Sequence, residues 1–188
     1  ALGSVVTRSN RPVSVEPLAE YPLLGIRLDG SGPFLRERKK GSQLSARTLF
    51  RVCTGDFIYS RLFAWRGAFG VVPAALDSCF VSNEFPTFAA RDNQIDVHFL
   101  SYWFRLPSVL QRVAADCTGS TPLTRNRYGE EPFLALQVPL PPLAEQRRLV
   151  ARIEEVAGKI AEARSLRRQI VEEAEALVVS LHFTLAGR

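Results

Sequence analysis

The chain has 188 residues, 46% of them hydrophobic and 23% charged, the composition of an ordinary globular protein with material for one proper core plus an appendage. A formal net charge of +5 favours a polyanionic partner, because clustered Lys and Arg release counterions when they meet phosphates. No run approaches the roughly 20 apolar residues of a membrane span, and the N-terminus lacks a charged segment followed by an apolar one, so a soluble, unsecreted, cytoplasmic protein is expected.

Cys53, Cys79 and Cys117 are odd in number and widely spaced, which fits neither a disulfide framework nor a zinc site, and they are read as reduced thiols. Methionine is absent even at position 1, which points to a fragment or a processed chain.

Residues 1–20 are polar, punctuated by proline and without a clear period, and read as a loosely attached lead-in. From 21 to 138, short apolar runs alternate with glycine-rich turns. The runs at 23–28, 48–52, 56–62, 68–72 and 80–82 read as strands of one curved sheet. Between Asp96 and Ala115, Phe99, Leu100, Trp103, Phe104, Val109, Leu110 and Val113 recur at helical spacing around Pro107, which predicts two short helices. A last strand is expected over 133–138. Strands with inserted helices make an α+β domain over 21–141.

The cluster Pro139-Leu140-Pro141-Pro142 closes that domain, since proline suits a helix start and neither strand ladders nor helix interiors. Residues 142–188 then read as one long coiled-coil helix. Leu149, Ile153, Val156, Ile160, Ala163, Leu166, Ile170, Ala174, Leu177 and Leu181 follow one another by steps of three or four, the spacing of a seam that meets a partner helix. Glu145 favours the helix N-terminus and Glu155 with Lys159 makes a supportive i,i+4 pair. Gly158 is the only internal glycine and costs about 1 kcal/mol of helix propensity.

Catalytic patterns are missing. Gly30-Ser31-Gly32 lacks the third glycine of a cofactor loop, and Pro141-Pro142 lacks the flanking residues of an amino-methyltransferase motif. Asp29 with Glu37-Arg38-Lys39 has the spacing of a metal-dependent nuclease. In that constellation Glu and Lys stand on a buried strand, whereas 36–40 reads as a solvated charge run in a loop. His98 and His182 fall on apolar helical faces and read as packing residues. A non-catalytic chain without metal or cofactor is expected.

Basic and aromatic residues in the loops suit DNA. Arg36, Arg38, Lys39 and Lys40 form one patch, Ser60, Arg61, Trp65 and Arg66 a second, and Arg125, Asn126, Arg127 and Tyr128 a third. Arginine forks onto guanine O6 and N7, Asn bridges adenine N6 and N7, and Lys, Ser and Tyr hold phosphates. Residues 1–141 carry 16 basic and 12 acidic side chains, a net +4 of the total +5.

Three stretches carry a resemblance: Gly55-Asp56-Phe57-Ile58-Tyr59-Ser60-Arg61-Leu62 continuing through Gly67-Ala68-Phe69-Gly70-Val71-Val72; Val81-Ser82-Asn83-Glu84-Phe85-Pro86-Thr87-Phe88; and Pro139-Leu140-Pro141-Pro142-Leu143-Ala144-Glu145-Gln146-Arg147-Arg148-Leu149-Val150. In this order they resemble a target-recognition domain and spacer helix of a type I restriction-modification specificity subunit. The resemblance implies a protein of phage defence that reads double-stranded DNA. It also implies separate partners, a methyltransferase modification subunit and an ATP-driven translocating restriction subunit.

Full specificity subunits have two recognition domains and two antiparallel spacer helices. One of each here implies either a half-subunit that pairs with itself through 149–181 and reads a two-fold symmetric, interrupted site, or a fragment of a longer two-domain or fused restriction/methyltransferase chain. A coiled-coil adaptor whose head binds protein is the other alternative. Arg61 and the segment around Arg125 lie beside the matched stretches and are the expected base readers.

Overall fold

The computed structural model describes residues 1–92, 94–119 and 126–186, the last nine by backbone alone. Nine strands and four α-helices occur among the described residues: β1 (Val6–Ser9), β2 (Pro12–Ser14), β3 (Glu20–Ile26), β4 (Pro33–Lys40), β5 (Thr48–Arg51), β6 (Phe57–Tyr59), β7 (Phe69–Val71), β8 (Phe80–Val81), β9 (Thr87–Ala90), α1 (Val97–Trp103), α2 (Pro107–Ala115), α3 (Glu130–Ala135) and α4 (Leu143–Ala186). The fold is α+β with a long C-terminal helix. Ala1–Arg147 forms one compact unit and Arg148–Arg188 a second.

The strands divide between two sheets instead of forming the single curved sheet expected. One has the order β1-β9-β6-β7 and is antiparallel throughout. The other has the order β2-β5-β8-β3-β4, with β3 and β8 parallel. Side chains of a strand alternate between faces, and the three residues of β6 show what that does here. Phe57 and Tyr59 enter one core with Phe69, Phe88, Phe104 and Phe133, under α1, α2 and α3. Ile58, between them, enters a second core with Leu24, Ile26, Val72 and Val81, where the two sheets face each other. Tyr21, Leu23 and Leu49 pack a third cluster on the five-stranded sheet with Val13 and Phe80.

Further expectations change. The first concerns residues 1–20, which are no loose lead-in. β1 pairs with β9 and β2 with β5, Leu2, Val5 and Val6 are buried, and Leu2 N donates to Leu136 O at 2.8 Å. A polar anchor adds to this: Arg11 forks onto the buried Asp56 at 2.6 and 3.2 Å, and Asp56 also accepts from Ser9 Oγ and Cys53 N. Elements of three and four residues are too short to display a period, so their apolar positions look scattered in the sequence.

The second concerns 133–138, where no strand forms: 133–135 belong to α3 and 136–138 to no regular element. Gly129 precedes α3, Glu130 and Glu131 occupy its first turn and favour the helix N-terminus, and Pro132 lies early enough to be tolerated. A short apolar run does not by itself distinguish strand from helix.

The third concerns 33–40. The charge run is not a loop but β4, an edge strand of the five-stranded sheet. Charged side chains along an edge discourage pairing with another chain. The imidazole of His98 also differs from its expected packing role, since it is exposed; the side chain of His182 lies outside the described residues.

The start of α4 is fixed by a buried amide. Glu145 N and Gln146 N both donate to Pro142 O. The Gln146 side chain is fully buried; its Oε1 accepts from Asp96 N at 2.9 Å, and its Nε2 donates to Gln94 O at 3.0 Å and Pro141 O at 2.9 Å. The helix that begins at this turn spans 44 residues in all, about 65 Å at 1.5 Å per residue.

Replacing Leu2 by Ala tests whether the N-terminal segment belongs to the core. Urea unfolding is expected to show a loss of about 2–5 kcal/mol, as for a buried leucine; a change within about 0.5 kcal/mol, as for a surface site, would return the segment to a loose lead-in.

Candidate nucleic-acid interface

The charge run on β4 is organised by a bulge. Leu23 pairs with Glu37 while Leu24 pairs with Leu35, so Arg36 is the extra residue that the ladder skips, and a bulge of this kind re-aims a side chain. Arg36 Nε and Nη2 reach Glu37 Oε1 at 2.9 and 2.5 Å, and Lys39 Nζ lies 3.1 Å from Glu37 Oε2. These hydrogen bonds, with Lys39 contributing most and Arg36 next, hold the Glu37 carboxyl below the usual carboxylate range. Arg38 meets Glu20 only at 3.9 Å, and Lys40 forms no ion pair among the described residues. Arg36 and Lys39 line a cleft of about 220 Å³ with Leu24, Phe80 and Phe85.

The second and third patches are tied into one network. Glu130, at the start of α3, accepts from Arg8 Nε at 2.9 Å and from Arg61 Nη2. Arg127 Nη2 donates to Glu84 Oε1 at 2.7 Å. The backbone closes the same ring: Arg61 N donates to Glu84 O and Tyr128 N to Arg61 O, both at 2.9 Å. Arg61 and Arg127 are therefore each committed to a carboxylate. Arg61 Nε and Glu84 Oε2 are buried and have no hydrogen-bond partner among the described residues. Such atoms are expensive unless something outside the chain satisfies them.

Two residues singled out for DNA lie inside the protein. Tyr128 is fully enclosed, edge-on to Phe133 and 5.7 Å from the Tyr59 ring, and burial drives its phenol well above the usual range. Its bulk serves the aromatic core. Ser60 is buried after β6, where Ser60 N donates to Ala68 O. Trp65 donates its indole N–H to Leu62 O at 3.1 Å. Asn126 is half-buried, and Arg125 lies outside the described residues.

Three arginines without an ion pair lie elsewhere. Arg27, Arg66 and Arg105 are exposed, none is within ion-pair distance of a carboxylate among the described residues, and each lies over an aromatic ring: Arg27 over Phe34 at 4.7 Å, Arg66 over Trp65 at 5.8 Å and Arg105 over Tyr102 at 4.6 Å. All three belong to one neighbourhood, the turn between β3 and β4. Arg27 N donates to Gly32 O across it. A Cβ at Gly67, next to Arg66, would stand 3.2 Å from Leu28 O, and one at Gly30 would stand 3.3 Å from Arg105 Cγ. Gly30, Gly32 and Gly67 all have positive φ, which glycine adopts freely.

Ring stacking holds a guanidinium in place while leaving its N–H fork free for an incoming acceptor. Arg66 and Trp65 were singled out from the sequence; Arg27 and Arg105 were not. The Tyr102-x-x-Arg105 spacing across the end of α1 and the turn residues Asp29-Gly30-Ser31-Gly32 are the signals that could have found them.

On α4, the seam residues of the second unit are open. Leu149, Ile153, Val156, Ile160, Leu166, Ile170 and Leu177 are between 38% and 66% exposed. The side chain of Leu181 lies outside the described residues. Arg152 and Lys159 both meet Glu155, at 2.7 and 2.5 Å, surface pairings that solvent screens.

No protein-family model and no curated protein matches the sequence. The fold does match solved structures. The crystal structure of the HsdS subunit from Thermoanaerobacter tengcongensis aligns with a TM-score of 0.72 and 22% identity, over 94% of this chain and 46% of that one. A chain from the structural basis of complex assembly and conformational transition of the type I R-M system aligns with a TM-score of 0.67 and 22% identity, again over 94% and 46%. The chain thus has the fold of the HsdS specificity subunits of type I restriction-modification systems, and it spans about half the length of those it matches.

Proposed function

We propose that the chain is a sequence-specific DNA recognition subunit of a type I restriction-modification system. On this reading it directs a methyltransferase modification subunit and a translocating restriction subunit to a two-part target, is itself non-catalytic, and acts in the cytoplasm. The observation that carries the proposal is the HsdS fold, which extends over 94% of this chain and under half of the matched subunit. Two copies would come close to the length of one such subunit. The open seam of α4 supports pairing of two copies, because an apolar stripe on a helix is stable in water only when another surface covers it. Such a pair reads a two-fold symmetric, interrupted site.

The same coverage fits one half of a longer two-domain or fused chain, and the state of the isolated chain separates the two. A dimer at micromolar concentration by light scattering is expected, with Ile160→Asp shifting it to monomer by placing a charge in the seam. A strictly monomeric native chain would favour the longer-chain reading. A coiled-coil adaptor whose head binds protein would show no steep loss of nucleic-acid affinity as salt rises.

For the head, the proposed DNA contacts are the edge-strand cations Arg36, Arg38, Lys39 and Lys40 and the ring-stacked Arg27 and Arg66. Arg61 and Arg127 pair with carboxylates 69 and 43 residues away in sequence and tie the loops together, whereas Arg36 and Lys39 share only Glu37 of their own strand; Ser60 and Tyr128 are too buried to take part. Selection from a randomised duplex pool is expected to return an interrupted palindrome. Arg27→Ala and Arg66→Ala are each expected to lower the slope of log K against log salt by about 0.9 for every phosphate that the variant no longer neutralises. Full affinity and an unchanged slope in both would remove the turn from the interface.

A further inference from the structure

Beside the turn that joins β3 to β4 lies a cleft of about 150 Å³, walled by that turn, by β7 and by α1. Its floor is a close approach of two backbones. A Cβ at Gly70 would stand 2.7 Å from both Gly32 Cα and Pro33 Cδ, so no side chain fits there. Into this cleft project Ser101, His98, Tyr102 and Arg105. Ser101 is only 6% exposed. Among the described residues, none of these four side chains makes a hydrogen bond or an ion pair, apart from the stacking of Arg105 on Tyr102. The Ser101 hydroxyl is not among the enclosed unpartnered atoms, so the oxygen opens to the cleft, and with an imidazole, a phenol and a guanidinium beside it the cleft presents donors to a ligand rich in acceptors.

We propose that this cleft binds a phosphate group, and that the phosphate is one of the DNA backbone; the second clause rests on the recognition function proposed above. Arginine supplies a permanent charge and a planar fork that matches phosphate oxygens, while Ser101, Tyr102 and His98 supply further polar groups around it. The carboxylate of the turn, Asp29, is occupied locally: its Oδ1 accepts from Ser31 N at 2.9 Å and from Ser31 Oγ at 2.6 Å. A phosphodiester suits the place better than a free phosphate because Arg27 and Arg66 stand at the same turn without an ion pair, a surface made for consecutive charges. Base readout is a separate matter, since phosphate contacts fix register and orientation.

Two titrations of the intact chain test this. Inorganic phosphate is expected to shift the backbone amide resonances of Gly32, Ser101 and Tyr102 saturably, and Arg105→Ala to abolish the shifts. A mixed-sequence duplex is expected to move the same resonances. Arg105→Ala, an exposed site that leaves the core intact, is expected to lower the salt slope of duplex binding by about 0.9, and Ser101→Ala to weaken duplex binding about tenfold. Duplex binding with an unchanged slope in Arg105→Ala and unchanged affinity in Ser101→Ala overturns the phosphate cleft and leaves the recognition function standing. Resonances that respond to inorganic phosphate but not to a bound duplex overturn the DNA source. A native chain that binds no duplex overturns the recognition function and, with it, the backbone phosphate.

Discussion

β6 is three residues long, and every one of them is fully buried. Phe57 and Tyr59 face the helices, with Phe57 5.5 Å from Phe104 and Tyr59 4.9 Å from Phe133 between ring centroids. Ile58 faces the other way, into the space between the sheets. A strand buried on both faces cannot slip by one residue without moving its aromatic rings into the smaller core, so β6 sets the register of β7 and β9 and the separation of the two sheets together. Each aromatic pair adds about 0.5–1.5 kcal/mol beyond area burial. What the surface carries follows from this. Asp56, just before β6, anchors Arg11 of the N-terminal segment, while Arg61, just after Ser60, reaches Glu130.

Two groups of arginines contrast in how they are held. Arg8, Arg11, Arg36, Arg61 and Arg127 have carboxylate partners within ion-pair distance, and all but Arg36 knit distant segments of chain together. Arg27, Arg66 and Arg105 have aromatic rings instead, which orient the guanidinium without cancelling its charge. A net charge of +5 thus understates the contrast between surfaces. Long-range attraction of a polyanion depends on where charge is unneutralised more than on how much there is.

Patterns that repeat within one element were legible from sequence. The paired helices around Pro107, the run of α4 and the strands at 48–51 and 57–59 all show their period or their turn boundaries. What was illegible depends on partners distant in sequence. The N-terminal segment is apolar only where residues 2–4 meet α3 and β1 meets β9, β4 is charged because it lies at a sheet edge, and α3 resembles a strand until Gly129 and the two glutamates are seen in place. The site suffered in the same way. Tyr128 and Arg127 are neighbours in sequence, yet one is in the core and the other on the surface. Its place beside the stretches that carry the resemblance made Arg61 attractive as a base reader; only geometry revealed that Glu130 holds it. Arg105 was hidden because its setting is built from three separate segments, the β3–β4 turn, β7 and α1.

If this chain lends DNA sequence specificity to a methyltransferase that lacks it, the pairing itself is the decisive experiment. Co-expression with a type I modification subunit from the same source, followed by single-molecule sequencing of methylated positions, tests it most directly. A symmetric, interrupted methylation motif is predicted, present with both chains and gone when this chain is omitted. Methylation at the same positions without this chain, or no sequence-specific methylation with it, would contradict the proposed role.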